Sequence, residues 1–225
     1  VTYNFPQSFT EVNLITKDNE TINALHFKLE KSKGVILFFH GNKGNLQRWG
    51  NIVSYLLEYE YEVFVIDYRN YGKSTGSFNE LKMYDDALLA YNHLTTKFSE
   101  DKIVVYGRSL GATFAAKVAS ENNPMHLILE APFYNLKKAT QFYFVLSPTF
   151  LIKYPFRTDL LIDKVASPVT FFHGDQDKTT SFDHSKELFK LVNSQQKEFV
   201  SIPTATHHNV KDYKIYTSKM KSILE

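Results

Sequence analysis

The chain has 225 residues, of which 43% are hydrophobic and 22% charged; this suits one globular domain with an apolar core and excludes a disordered chain. A net charge of +2, with the lysines scattered rather than gathered in a stripe, points away from a nucleic-acid partner. With no cysteine there is no disulfide framework, thiolate metal site or cysteine nucleophile.

Residues 9–16 and 22–29 alternate apolar and polar positions around Lys17-Asp18-Asn19-Glu20, which predicts an antiparallel hairpin. Val35 to Phe39 is continuously apolar, as in a strand buried on both faces, and ends at His40-Gly41-Asn42-Lys43-Gly44-Asn45. Trp49, Val53, Leu56 and Leu57 then recur at helical spacing and predict a helix from Leu46 to about Tyr59. A buried strand follows over Val63 to Ile66, then a glycine-punctuated loop from Asp67 to Gly76, then a helix with the apolar face Tyr84, Ala87, Leu88, Tyr91, Leu94 and Phe98.

The strand Ile103 to Tyr106 leads into Gly107-Arg108-Ser109-Leu110-Gly111, and an alanine-rich helix follows. This reads as a nucleophile elbow, in which a strand turns sharply into a helix and the flanking glycines leave room for the tight backbone. Leu127 to Leu129 is the next strand. Residues 133–166 break the rhythm: no clean strand appears, and eight aromatic residues fall between Phe133 and Phe156, which predicts a helical insertion. The sheet resumes with Pro168 to Phe172, ending at His173-Gly174-Asp175-Gln176-Asp177. A helix over about 182–192, a strand over 198–202, the turn Pro203 to Asn209 and a last helix using Val210, Tyr213, Tyr216, Met220 and Ile223 complete the chain.

Strands alternating with helices predict an α/β fold with a mostly parallel sheet covered on both faces, whose ligand sites lie at the carboxyl ends of the strands. Ser109, Asp177 and His207 each follow a predicted strand, so distant positions can converge on one edge. A serine hydroxyl needs a base to take its proton, and the base needs a partner to fix its tautomer. Asp175 competes with Asp177 for the acid, and His208 with His207 for the base. An acyl-transfer site also needs two backbone donors for the oxyanion, and Asn42 and Leu110 fit those places. His40 and His173 are expected to hydrogen-bond the backbone near the site, and His26, His93, His126 and His184 to be structural or exposed. No histidine spacing implies a metal, and Gly72-Lys73-Ser74-Thr75 lacks the first glycine of a phosphate-binding loop, so no cofactor is expected.

The segments HGNKGN at 40–45, DYRNYGKSTG at 67–76, GRSLG at 107–111, HGDQD at 173–177 and ATHHN at 205–209 together resemble the α/β-hydrolase superfamily. More narrowly, they resemble its esterase, lipase and serine-aminopeptidase-like branch with an HGNxGN oxyanion loop. The resemblance covers nearly the whole chain. It implies an α/β-hydrolase fold in a single domain over 1–225, with a lid-like insertion at about 133–166, and it carries the acid role onto Asp177 and the base role onto His207. Lys43 stands where such loops usually have alanine, Asn70 replaces a common glycine, and Thr204 and Thr206 replace glycines before the histidine.

The expected activity is cofactor-independent hydrolysis of small-molecule carboxylic esters or thioesters through an acyl-enzyme on Ser109. An aminopeptidase or amidase using the same residues, or a non-catalytic binding module on the same fold, are the alternatives. Phe142 and Phe144 are expected to line an acyl pocket under the insertion, and Lys43 to favour anionic groups. The sequence contains no stretch of 18 apolar residues, so nothing in it is expected to span a bilayer. The start at Val1 rather than methionine points to a missing N-terminal piece, so membrane association is expected only through such a piece or through the aromatic insertion.

Overall fold

The computed structural model describes residues 2–144, 146 and 148–225. Val1, on which the expectation of a missing N-terminal piece rests, and Val145 and Ser147 of the predicted insertion lie outside the described residues. Eight strands form one sheet: β1 Phe9–Ile15, β2 Thr21–Phe27, β3 Gly34–Phe39, β4 Tyr61–Ile66, β5 Ile103–Arg108, β6 His126–Glu130, β7 Val169–Gly174 and β8 Lys197–Ile202. Their order is β1-β2-β4-β3-β5-β6-β7-β8. The hairpin β1–β2 and the pair β2–β4 are antiparallel, and the remaining pairs are parallel.

The inner strands carry unbroken apolar runs because both faces of the sheet are covered. In β3, Val35, Leu37 and Phe39 point into one apolar layer and Ile36 and Phe38 into the other. The first layer is closed by helices α2 (Glu80–Thr95), α3 (Gly111–Glu121) and α5 (Phe182–Lys190), the second by α1 (Leu46–Val53) and α6 (Lys214–Leu224). α3 lies against the central strands, where Ala112, Ala115, Ala116 and Ala119 are buried.

Two predicted helices are shorter than their apolar spacing suggests. α1 stops at Val53, and Ser54–Tyr59 winds as a 3-10 helix that ends on Glu60 in the left-handed region, φ 64°. The tighter winding delivers the chain to β4 one residue later while Leu56 still reaches the core. At the carboxyl end, Val210 belongs to a separate 3-10 turn, Val210–Asp212, before α6 begins.

Between β6 and β7 the chain forms α4 (Leu136–Tyr143) and 3-10 turns at Thr149–Leu151, Thr158–Leu160 and Ile162–Lys164, so the segment is helical. Its base is tied to the core: Phe156 and Ile162 are buried, the Thr113 and Thr158 hydroxyls are 2.7 Å apart, and the Tyr154 hydroxyl donates to the Phe78 carbonyl at 2.9 Å. Its tip carries exposed Phe144, Leu146 and Phe150. Among the described residues no helix is long and apolar enough to cross a membrane.

Candidate active site

β5 runs through Gly107 and Arg108, and the chain reverses at Ser109, which has φ 52°. A non-glycine residue in the left-handed region costs about 1–3 kcal/mol and persists only where its surroundings impose it. Here they do. The Ser109 amide donates to the Glu130 carbonyl at 2.9 Å, while Ala112 N–H donates back to the Ser109 carbonyl at 3.0 Å to open α3. Neither flanking glycine has a positive φ; their role is space. A Cβ at Gly111 would lie 1.9 Å from the Phe39 carbonyl oxygen, and one at Gly107 2.5 Å from the Gly111 oxygen. The bare backbones let α3 drop onto β3 and β5.

At the ends of β7 and β8, the ring of His207 meets Asp177, with Nδ1 2.7 Å from Oδ2. Asp177 is buried, its Oδ1 accepts the Thr179 and Thr180 amides at 2.7 and 2.9 Å, and its Oδ2 accepts the Thr180 hydroxyl at 2.9 Å. His173 Nε2 stands 3.3 Å from the same oxygen. Burial by itself pushes this carboxyl up; the contacts from His173 and His207 and the Thr180 amide outweigh it and hold the group well below the usual carboxylate range. Asp177 is therefore ionised at neutral pH and fixes His207 with Nδ1 as donor. The ring's hydrogen bonds all run through Nδ1, so Nε2 has no protein partner among the described residues.

The competing candidates separate clearly. Asp175 is exposed and accepts the Thr204 amide at 2.7 Å, closing the turn ahead of His207. His208 is exposed, its ring perpendicular to that of His207 at 5.3 Å, and does not reach Asp177. His40 and His173 both bond backbone, to the Gly41 carbonyl at 2.7 Å and the Thr180 carbonyl at 3.2 Å.

The loop after β3 is built around Trp49. Its indole N–H donates to the Lys43 carbonyl at 3.0 Å, which holds Lys43 at φ 76°. Asp67 accepts the Leu46 amide at 3.2 Å and stands 3.2 Å from His40 Nε2, and the Tyr71 hydroxyl donates to Asn42 Oδ1 at 2.6 Å. With side chain and loop so fixed, the Asn42 and Leu110 amides find no acceptor among the described residues. Both residues line the same cleft as Ser109.

Two clefts meet along Asn42, Ser109, Tyr143 and Thr179. One, of about 440 Å³, is apolar, lined by Leu110, Phe133 and Phe156 and by one face of α4. That face is Leu136, Ala139, Thr140 and Tyr143, spaced i, i+3, i+4, i+7. Phe144 lines this cleft, but Phe142 does not: one residue before Tyr143 on a helix with about 100° per residue, it points elsewhere and its ring packs 6.3 Å from His184 of α5. The other cleft, of about 410 Å³, holds His207 and His208 together with Lys43, Arg48 and Arg108.

Arg108 and Tyr71 lie within quoted motifs and Thr180 just after one, but nothing in the sequence marks what each of them contacts. Arg108 pairs with Glu130 (Nε to Oε1, 3.0 Å) and donates from Nη2 to the His207 carbonyl at 2.6 Å, joining residues 99 apart. Thr180 binds Asp177 through both amide and hydroxyl.

Residues 30–160 match the model of the serine aminopeptidase S33 hydrolase family. The protein bem46 of Schizosaccharomyces pombe is 30% identical over 91% of this chain and 73% of its own length. The lysophosphatidylserine lipase ABHD12 of Gallus gallus is 26% identical over 83% of this chain, which spans about half (51%) of that protein. Among solved structures, the Pyrococcus furiosus esterase Pf2001 has 19% identity and a TM-score of 0.80, covering 100% of this chain and 94% of its own. The likeness is one of fold, since the superposition takes in this chain's whole eight-stranded sheet. The match over residues 30–160 and the 30% identity to bem46 over 91% of this chain show that the chain belongs to the α/β-hydrolases of the serine aminopeptidase S33 family.

Proposed function

We propose that the protein is a serine hydrolase that cleaves carboxylic esters or thioesters through an acyl-enzyme on Ser109. The observation that carries this reading is the Asp177–His207 bond of 2.7 Å, which engages Nδ1 and leaves Nε2 without a protein partner among the described residues, in a cleft that Ser109 also lines. In this mechanism Nε2 takes the Ser109 proton as the hydroxyl attacks the carbonyl carbon, and the imidazolium is stabilised by ionised Asp177. The oxyanion lies against the Asn42 and Leu110 amides, each such donor being worth about 3–4 kcal/mol in the transition state. Nε2 then returns the proton to the leaving oxygen or sulfur, and water repeats the sequence to free the acid. The acyl group occupies the apolar cleft under α4.

An ester is favoured over a peptide with a free amino terminus by the charge of the clefts. Among the described residues neither cleft is lined by an aspartate or glutamate that could receive an α-ammonium group. The likeness to proteins named lipase and esterase points the same way.

The test is hydrolysis of p-nitrophenyl esters of increasing acyl length beside aminoacyl p-nitroanilides. Esters are expected to be cleaved, with kcat/KM rising with chain length, and Ser109→Ala to lower kcat by about 10⁴-fold or more. Retention of the rate in the folded Ser109→Ala variant, or cleavage of the anilides alone, would overturn the reading.

A further inference from the structure

We infer that the cleft lined by Lys43, Arg48 and His207 binds an anionic group on the alcohol part of the substrate, so that the preferred ester is one whose leaving alcohol bears a phosphate. The inference rests on the serine-hydrolase reading above and adds the identity of the group that leaves. The base that hands its proton to the leaving oxygen must stand beside that oxygen. His207 lines the polar cleft and is absent from the apolar one, so the alcohol departs into the polar cleft and the acyl chain keeps the apolar one.

The charge in that cleft is one-sided. Lys43, Arg48 and Arg108 line it and, among the described residues, no acidic side chain does. Arg108 is matched by buried Glu130, whereas neither Lys43 nor Arg48 forms an ion pair among the described residues. A cleft lined by one sign of charge, with low-dielectric walls, concentrates the opposite charge. The backbone of Lys43 and the guanidinium of Arg48 are both held by the same indole. Trp49 bonds the Lys43 carbonyl at 3.0 Å, the Arg48 guanidinium lies 5.8 Å over its ring, and Arg108 lies 5.5 Å over the ring, so the loop and both guanidinium groups are set before a ligand arrives. Unlike the fork of Arg108, which Glu130 and the His207 carbonyl engage, that of Arg48 is available for the bidentate contact that phosphate oxygens make.

The test compares two esters with the same acyl chain, octanoyl ethylene glycol and octanoyl ethylene glycol phosphate, measuring kcat/KM for each. Wild-type protein is expected to prefer the phosphate at least about tenfold, a preference that shrinks as salt is raised. In Lys43→Ala/Arg48→Ala the phosphate-to-neutral ratio is expected to fall to about one, and in Arg48→Glu to invert; because the ratio is taken within each variant, a general loss of activity cancels. Repeating the pair with butanoyl and palmitoyl chains separates the sources of the phosphate: preference with both chains indicates small soluble phosphoesters, and preference with palmitoyl alone a lipid head group, either one upholding the site. A wild-type ratio near one while the neutral ester is cleaved, or a ratio untouched by the double substitution, overturns the inference and leaves the hydrolase reading standing. Failure to cleave either ester, with no labelling by a fluorophosphonate, overturns both.

Discussion

Arg108 joins the elbow to the histidine loop, and its two contacts have different consequences. Its ion pair with Glu130 is nearly buried at both ends, so Arg108→Ala leaves a carboxylate without its cation and is expected to destabilise the fold by about 3–5 kcal/mol in urea unfolding. Arg108→Lys keeps the charge but not the fork that also reaches the His207 carbonyl. It is expected to lower kcat roughly tenfold with a smaller loss of stability; equal stability and equal kcat in both variants would contradict this division of roles. Asp177 makes a prediction about pH. Its folded-state carboxyl titrates below the ordinary range, so between the folded and unfolded values the unfolded chain binds more protons, and stability rises with pH there. The contribution is complete above an ordinary aspartate's pKa of about 4 and is lost as pH falls through the depressed one. Asp177→Asn is expected to flatten this acid limb of the stability profile and, by permitting the other His207 tautomer, to cut kcat by about 10⁴-fold at neutral pH. An unchanged acid limb in the variant would show that Asp177 is not the group responsible.

At the scale of elements, the turn from β5 into α3 depends on two missing side chains. Gly111→Ala would drive a Cβ to 1.9 Å from the Phe39 carbonyl oxygen, a backbone atom that cannot swing aside. It is expected to cost more than about 3 kcal/mol, the upper end of overpacking, read as a lowered Tm, whereas Ala112→Gly at the next position should cost about 2 kcal/mol, for its helix propensity and a buried methyl. The face of α4 makes a second prediction. Tyr143→Ser with Phe144→Ser removes two aromatic rings from the apolar cleft and should flatten the dependence of kcat/KM on acyl length, whereas Phe142→Ser, aimed at His184, should not. The inner strands and α2 were legible in the sequence because burial on both faces, or along one stripe, leaves a period that survives without knowledge of partners. The join of α1 and its 3-10 extension was not, since windings of 3.0 and 3.6 residues per turn place Val53, Leu56 and Leu57 almost alike over so few residues. Phe142 was misplaced for a related reason: aromatic density marks a segment as amphipathic, and only the helix phase tells which ring faces the cleft.

Across the whole molecule, the site is assembled by strand order. β3, β5, β7 and β8 all run parallel, so their carboxyl ends bring Asn42, Ser109, Asp177 and His207 to one edge from positions up to 165 residues apart in the chain. That convergence could be read from the alternation of strands and helices, because a parallel sheet puts every strand end on the same side. The supporting contacts could not. Arg108 to the His207 carbonyl, Tyr71 to Asn42 and Asp67 to the start of α1 link separate loops, and no local pattern in the sequence reports which loop a polar side chain will meet. Covalent labelling tests most directly whether Ser109 is a nucleophile activated by His207 and Asp177. Intact-mass measurement after exposure to a fluorophosphonate, followed by peptide mapping, is predicted to show one adduct on Ser109, absent in Ser109→Ala and formed far more slowly in His207→Ala. An adduct elsewhere, or none on folded wild-type protein, would contradict it.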